Sequence, residues 1–370
     1  MAIPTAGGVA IPPFIEAQLP PETWGGWALT QIGSAVDGAV LEAMRLAVDA
    51  ALMPAPHEIP RMRASAQRFV DGELWDDARR YFPFVDRIVE VSVSARPRRN
   101  LDGGSVVARE FRMSYRPSDG GEAPGELRVP VEHWVHERVP SRTTVLALHG
   151  FSMGYPRLDA FALFAGELYR QGFDVALQTL PHHGVRTPTG DRFSGEHFAV
   201  PEIERLNEAV RQAVYEIHAV AGWFRNAGGT SVGLLGLSLG GYLTSLMAGL
   251  TPELGFVIPM VPPVCIGDLA WRFFARSRRY RGERAPVFSR EELRAAYRVH
   301  SPLTFPLLVP RERVLIIAGR GDRIVPPEHP YALWRHWQHP EIHWFSGSHL
   351  APFRRGALVR RIVRHIEDVL

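Results

Sequence analysis

The chain has 370 residues, enough for one large α/β domain with additions or for two small ones. Its 42 basic residues are all arginine and face 39 acidic ones, so the formal charge is only +3, and the basic isoelectric point reflects arginine chemistry and not a nucleic-acid partner. No run approaches ~18 consecutive apolar residues, which excludes an expected membrane span, and the sole cysteine, Cys265, excludes an intramolecular disulfide and makes the cytoplasm the expected location.

The N-terminal stretch Met1 to Pro21 carries no basic residue and is broken by five prolines, unlike a signal peptide. Helical periodicity follows over Val36 to Leu52 and Ala64 to Tyr81, so residues 1–85 read as a mainly helical extension whose role stays open. Strand-like runs come next at Arg87 to Ser94, Val106 to Tyr115 and Leu127 to His136. The polar, glycine-rich segment Ser118 to Glu126 joins the last two as an antiparallel hairpin. From there strands and helices alternate: strand 143–148, helix 158–171, strand 173–179, helix 201–225, strand Ser231 to Leu235, helix Tyr242 to Leu250 and strand 255–260. Two further strands, Arg313 to Ala318 and Glu341 to Phe345, precede an amphipathic C-terminal helix. This alternation implies a parallel sheet covered on both faces, with ligands bound outside the carboxyl ends of its strands. The predicted core is therefore 86–261 and 311–370. Residues 262–310 break the alternation with helical stretches Leu269 to Arg279 and Arg290 to His300 and the aromatics Trp271, Phe273, Phe274, Tyr280, Phe288, Tyr297 and Phe305; they read as a cap inserted over the pocket.

Gly236-Leu237-Ser238-Leu239-Gly240 carries the most chemistry, since it puts one serine between two glycines where an apolar strand meets a helix. So sharp a turn strains the serine backbone and requires nearly atom-free neighbours, which Gly236, Gly240 and Gly241 supply. A hydroxyl nucleophile needs a base, and the base needs an orienting acid. Asp322 lies in the loop after the strand ending at Ala318, and His349 lies just past the strand ending at Phe345; they are the predicted acid and base. Asp268 is the alternative acid, with helix capping as its other expected role, and His343 falls inside a strand and reads as structural. Gly150-Phe151-Ser152-Met153-Gly154 repeats the G-x-S-x-G pattern, but it runs into Tyr155-Pro156 before any helix, so Ser238 is the predicted nucleophile.

Ser238, Asp322 and His349 in that order, each just past a strand, resemble the α/β-hydrolase superfamily over roughly residues 100–370. The resemblance implies an α/β-hydrolase fold: a mostly parallel central sheet flanked by helices, here with a helical cap and an N-terminal extension. His149-Gly150-Phe151 resembles the superfamily's oxyanion loop, which implies the amides of Phe151 and Leu239 as the oxyanion hole. The loop Leu180 to Pro188 together with the Gly-Leu-Ser-Leu-Gly-Gly turn also resembles, over a short stretch, the α/β-hydrolase domain-containing protein 18 family.

The implied activity is that of a serine hydrolase acting on a small-molecule ester. Ser238 attacks the carbonyl, His349 takes its proton, Asp322 fixes the imidazole tautomer, and water then releases the acid. No cofactor or metal is expected: with no lysine in the chain a P-loop is impossible, no G-x-G-x-x-G can be read, and the pair His182-His183 lacks a third ligand at a recognisable spacing. Cys265 sits in a Pro-Pro-Val-Cys segment without an elbow and reads as buried. The arginines Arg272, Arg276, Arg278, Arg279, Arg281 and Arg284 read as a solvated helix face, or alternatively as a collector of an anionic acyl substrate. An acyltransferase or peptidase on the same triad, and a noncatalytic binding protein of the same fold, remain as other readings. Acyl chain length and oligomeric state are not legible.

Overall fold

A computed structural model describes residues 10–51, 53–82, 84, 88–118, 126–199, 202–228, 230–275, 277 and 288–370. Its strands are β1 (Ile88–Val93), β2 (Arg99–Leu101), β3 (Gly104–Met113), β4 (Leu127–His136), β5 (Thr143–Leu148), β6 (Asp174–Gln178), β7 (Ser231–Leu237), β8 (Val257–Met260), β9 (Leu315–Gly319) and β10 (Glu341–Phe345). They form one sheet in the order β1-β3-β4-β6-β5-β7-β8-β9-β10, with β2 paired to β3. β1, β3, β4 and β6 pair antiparallel, and every pairing from β6 through β5 to β10 is parallel. The central strands β5, β6, β8 and β9 are buried along their whole length, as expected for strands covered on both faces.

Helices are α1 (Trp24–Ala51), α2 (Ile59–Val70), α3 (Gly72–Asp76), α4 (Pro156–Ala162), α5 (Ala165–Arg170), α6 (Ile203–Gly228), α7 (Leu239–Ala248), α8 (Ile266–Phe274), α9 (Arg290–Ala296), α10 (Glu328–His336) and α11 (Arg355–Val369). The period of two along β5 splits the core: Leu146 and Leu148 pack with α2, α6, α7 and α10, while Val145 and Ala147 pack with α5 and α11. α11 shows the matching helical stripe, burying Leu358, Val359, Ile362, Val363 and Ile366. Among the described residues no helix is long and apolar enough to cross a membrane.

Several boundaries differ from the sequence expectation for identifiable reasons. The helix predicted over 158–171 is two helices, because Phe164 takes a left-handed conformation (φ 58°) between α4 and α5. The short strand β2 was not predicted. The helix predicted from Val36 begins at Trp24, although Gly25, Gly26 and Gly33 weaken its propensity. Two of those glycines lie in close contact with the loop after β10: a Cβ on Gly26 would lie 2.7 Å from Ser346 Oγ, and one on Gly33 would lie 2.9 Å from Ser348 Oγ and 3.0 Å from Ser348 N. Most of the predicted turn Ser118 to Glu126 lies outside the described residues.

Candidate active site

β7 ends at Leu237, and Ser238 turns the chain into α7 with φ 53° and ψ −109°, a strained backbone held by its own N–H donating to Met260 O at 2.9 Å. The flanking glycines are needed sterically. A Cβ on Gly236 would sit 2.1 Å from Gly240 O, one on Gly240 2.0 Å from Leu148 O, and one on Gly241 2.7 Å from Met260 O. Strand, turn and helix therefore approach as backbone against backbone, and Ser238 stays only half-buried at the sheet's carboxyl edge.

His349 and Asp322 lie past the carboxyl ends of β10 and β9, which pair in parallel register up to Phe345 and Gly319. His349 Nε2 is 2.8 Å from Ser238 Oγ, and His349 Nδ1 is 2.7 Å from Asp322 Oδ2. Asp322 is buried, and its second oxygen accepts from Val325 N–H at 2.7 Å, so the carboxylate is fixed from both sides. Burial opposes a charged imidazole, but the charge and hydrogen bond of Asp322, with a further contribution from the Asp37 carboxylate, hold the His349 pKa above its ordinary value. Ser152 occupies the turn after β5, exposed and with φ 60°, and it is Ser238 and not Ser152 that meets the imidazole.

The loop after β5 packs directly against the serine: a Cβ on Gly150 would lie 3.6 Å from Ser238 Cβ. Phe151 follows it, and Leu239 opens α7, ahead of the first intrahelical bond from Tyr242 N–H to Ser238 O. The Leu239 amide therefore lies in the first turn of α7, at its positive end. His149 stays buried and neutral, its pKa lowered to about 3 by burial and by His183; its ring contacts Gly150 O and accepts from Leu180 N–H. His183 packs edge-on against His149 and Phe151, while His182 stacks on His197 at 3.9 Å. The paired histidines diverge and serve as packing groups that brace this loop. Ser194 completes the brace, donating to Met153 O and accepting from Gly184 N–H. Among the described residues no group of three or more His, Cys, Asp or Glu side chains could hold a metal ion.

Asp268 does not cap its helix. α8 starts at Ile266, and the Asp268 carboxylate meets Arg290 at 2.6 Å and Arg294 at 3.5 Å, tying α8 to α9. His343 is half-buried on the edge strand β10, and Cys265 is buried, its thiol pushed up to about 12 by desolvation. Arg272 donates to Arg323 O and Ile324 O, bracing the loop that carries Asp322, and lines a cleft of about 450 Å³ with Arg45, Arg323 and Phe273. Arg276, Arg278, Arg279, Arg281 and Arg284, together with Tyr280, lie outside the described residues.

The residue missed from sequence is Asp37, fully buried on α1. Its carboxylate accepts four hydrogen bonds: from Ser348 Oγ (2.8 Å), His349 N–H (2.9 Å), Leu350 N–H (3.1 Å) and Arg323 N–H (3.0 Å). The sequence signal is a lone charged residue in the otherwise uncharged stretch Ile32 to Leu41.

No family model matches the chain. Two uncharacterized proteins of Mycobacterium tuberculosis, from strains CDC 1551 and H37Rv, are each 34% identical over 229 residues, covering 60% of this chain and 53% of the relative. The chain thus spans about half the length of the curated relatives it matches. Among solved structures, acetyl xylan esterase 1 from Thermoanaerobacterium sp. JW/SL YS485 superposes with a TM-score of 0.55 at 17% identity, covering 85% of this chain and 95% of that one. An acetyl xylan esterase from Paenibacillus sp. R4 gives 0.55 at 16% identity, covering 88% and 99%. With these likenesses and the strand order above, the chain has the α/β-hydrolase fold.

Proposed function

We propose that the chain is a serine hydrolase that cleaves a carboxylic ester of a small molecule through an acyl-enzyme. The observation that carries this reading is the continuous hydrogen-bonded line from Asp322 through His349 to the strained Ser238. His349 Nε2 removes the Oγ proton as Oγ bonds to the ester carbon, and the carbonyl π electrons move onto oxygen. The amides of Phe151 and Leu239 stabilise that oxyanion, a contribution worth about 100- to 1,000-fold per donor. The imidazolium, steadied by Asp322, returns its proton to the alcohol as the carbon–oxygen bond breaks. Water enters, gives its proton to His349 and its oxygen to the acyl carbon, and the acid leaves as Oγ is reprotonated. None of these steps uses a metal or an organic cofactor. Residues 262–310, with α8 and α9, form the cap in this reading, and residues 1–85 form an extension to the core. Support from the fold is general: ester cleavage is the chemistry named for both acetyl xylan esterases.

Hydrolysis of p-nitrophenyl esters from acetate to decanoate tests the reading. The wild-type protein releases nitrophenol with a chain-length optimum, and Ser238→Ala and His349→Ala fall to background with unaltered thermal unfolding. A folded wild-type protein inert towards the whole series, or loss of turnover in Ser152→Ala, overturns it.

A further inference from the structure

We propose that Asp37, on the first helix, is a positioning residue that locks the acid and base loops into the spacing required for proton transfer; this rests on the serine-hydrolase reading above. Asp37 touches no reacting atom. Its two oxygens divide the work: Oδ1 accepts from Ser348 Oγ and Leu350 N–H, and Oδ2 accepts from His349 N–H and Arg323 N–H. One carboxylate therefore holds the backbone of the base itself and that of the residue after the acid. A carboxylate is acceptor-only with about four lone-pair sites, so all of them are engaged.

Neighbouring contacts repeat the arrangement. Thr30 Oγ1 accepts from Gly347 N–H and donates to Glu22, and Glu22 also accepts from Ser346 Oγ and lies 3.6 Å from Arg320 Nε. A Cβ on Gly321 would meet Thr30 O at 2.7 Å. Glu22, Thr30 and Asp37 thus clamp residues 320–323 and 346–350 from one side. The clamp reaches across more than 280 residues of chain, from a segment with no place in the Ser-His-Asp machinery. The charge has a second consequence. The acidic groups that act on the His349 imidazole are Asp322 and Asp37, and both favour the protonated ring against its burial. On this helix, the Arg323 guanidinium lies against Gly38.

Asp37→Asn is close to isosteric and tests the role. Turned one way, its NH2 faces the N–H groups of His349 and Arg323 and both bonds are lost; turned the other way, it faces Leu350 N–H, whose bond is lost, and Ser348 Oγ, which can rotate to accept, so at least one backbone amide loses its acceptor either way. A displacement of about 1 Å in the base lowers turnover about 100-fold, and kcat is expected to fall by that amount with KM within about threefold of wild type. Removing the negative charge lets the imidazolium lose its proton more readily, so the acid limb of kcat/KM moves to lower pH. The amides that lose their acceptor, either Arg323 and His349 together or Leu350, exchange with deuterium faster. Retained kcat, or a fall in kcat with the acid limb and those amides unmoved, overturns the inference.

If Asp37→Asn fails to fold, Gly33→Ala replaces it, because its methyl would lie 2.9 Å from Ser348 Oγ and 3.0 Å from Ser348 N. It is expected to reduce kcat, while Gly25→Ala, with nothing within 4 Å, leaves it unchanged. Wild-type kcat in Gly33→Ala overturns the proposal. Failure of the hydrolase reading is distinguishable: the wild-type protein itself then turns over no ester and takes no fluorophosphonate. The exchange of residues 323, 349 and 350 in Asp37→Asn then decides, and unaltered exchange overturns the clamp.

Discussion

Gly240→Ala separates the steric demand of the elbow from every other property of the site. Gly240 is the second residue of α7, where alanine by itself favours the helix by roughly 0.5–1 kcal/mol. The added methyl, however, would lie 2.0 Å from Leu148 O, 2.6 Å from Leu148 C and 2.8 Å from His149 O. All three are backbone atoms of β5 and the start of the loop that follows it, so no side chain can swing aside. Ordinary contact begins near 3.4 Å, so helix and loop separate by about 1.4 Å at this point. Overpacking of this kind costs typically about 1–3 kcal/mol, and a shift of about 1 Å between Ser238 and the loop after β5 is expected to lower kcat/KM about 100-fold. The assay is hydrolysis of a p-nitrophenyl ester alongside urea unfolding. Gly222→Ala in α6 serves as control, since its nearest neighbour would be Arg225 Nη2 at 3.8 Å. The control is expected to keep full activity and gain a few tenths of a kcal/mol. Wild-type activity and stability in Gly240→Ala would show that the turn tolerates a side chain at this position.

Asp322→Asn leaves the geometry in place but removes the charge that orients the imidazole, and turnover is expected to fall about 10,000-fold with the fold intact; a fall of less than tenfold in ester turnover would mean that another group supplies the acid. Acid sensitivity follows from the buried neutral imidazoles. His300 and His329 have pKa values lowered to about 3 by burial, below their ordinary 6.5, so their contribution to stability is complete above pH 6.5 and is lost as the pH falls towards 3. The urea midpoint is expected to drop between pH 7 and pH 5, and a midpoint that stays level across that range contradicts the burial of these rings.

How far the site was legible depends on how local its determinants are. Gly236-Leu237-Ser238-Leu239-Gly240 encodes strand, turn and helix within five residues, and the loops of Asp322 and His349 each follow an apolar run, so their topological places could be read directly. The oxyanion donors proposed above rest on resemblance alone, because an amide donor leaves no side-chain signature. Asp37 was not legible. Its meaning depends on backbone amides some 286 to 313 residues away, and the glycines that let α1 lie against Ser346 and Ser348 read locally as helix breakers. Asp268 misled for the opposite reason: first-turn acids are common caps, and its arginine partners on α9 are more than twenty residues on. The left-handed Phe164 that divides α4 from α5 likewise has no local signal, since the preference for that conformation belongs to glycine and asparagine.

The proposed activation of Ser238 as a nucleophile is open to covalent capture. The purified protein is incubated with a fluorophosphonate, digested, and the modified peptide sequenced by mass spectrometry, beside Ser238→Ala and Ser152→Ala. One adduct is expected, on Ser238, formed by wild type and Ser152→Ala and abolished in Ser238→Ala. An adduct on Ser152, or none on a folded wild-type protein, would contradict it.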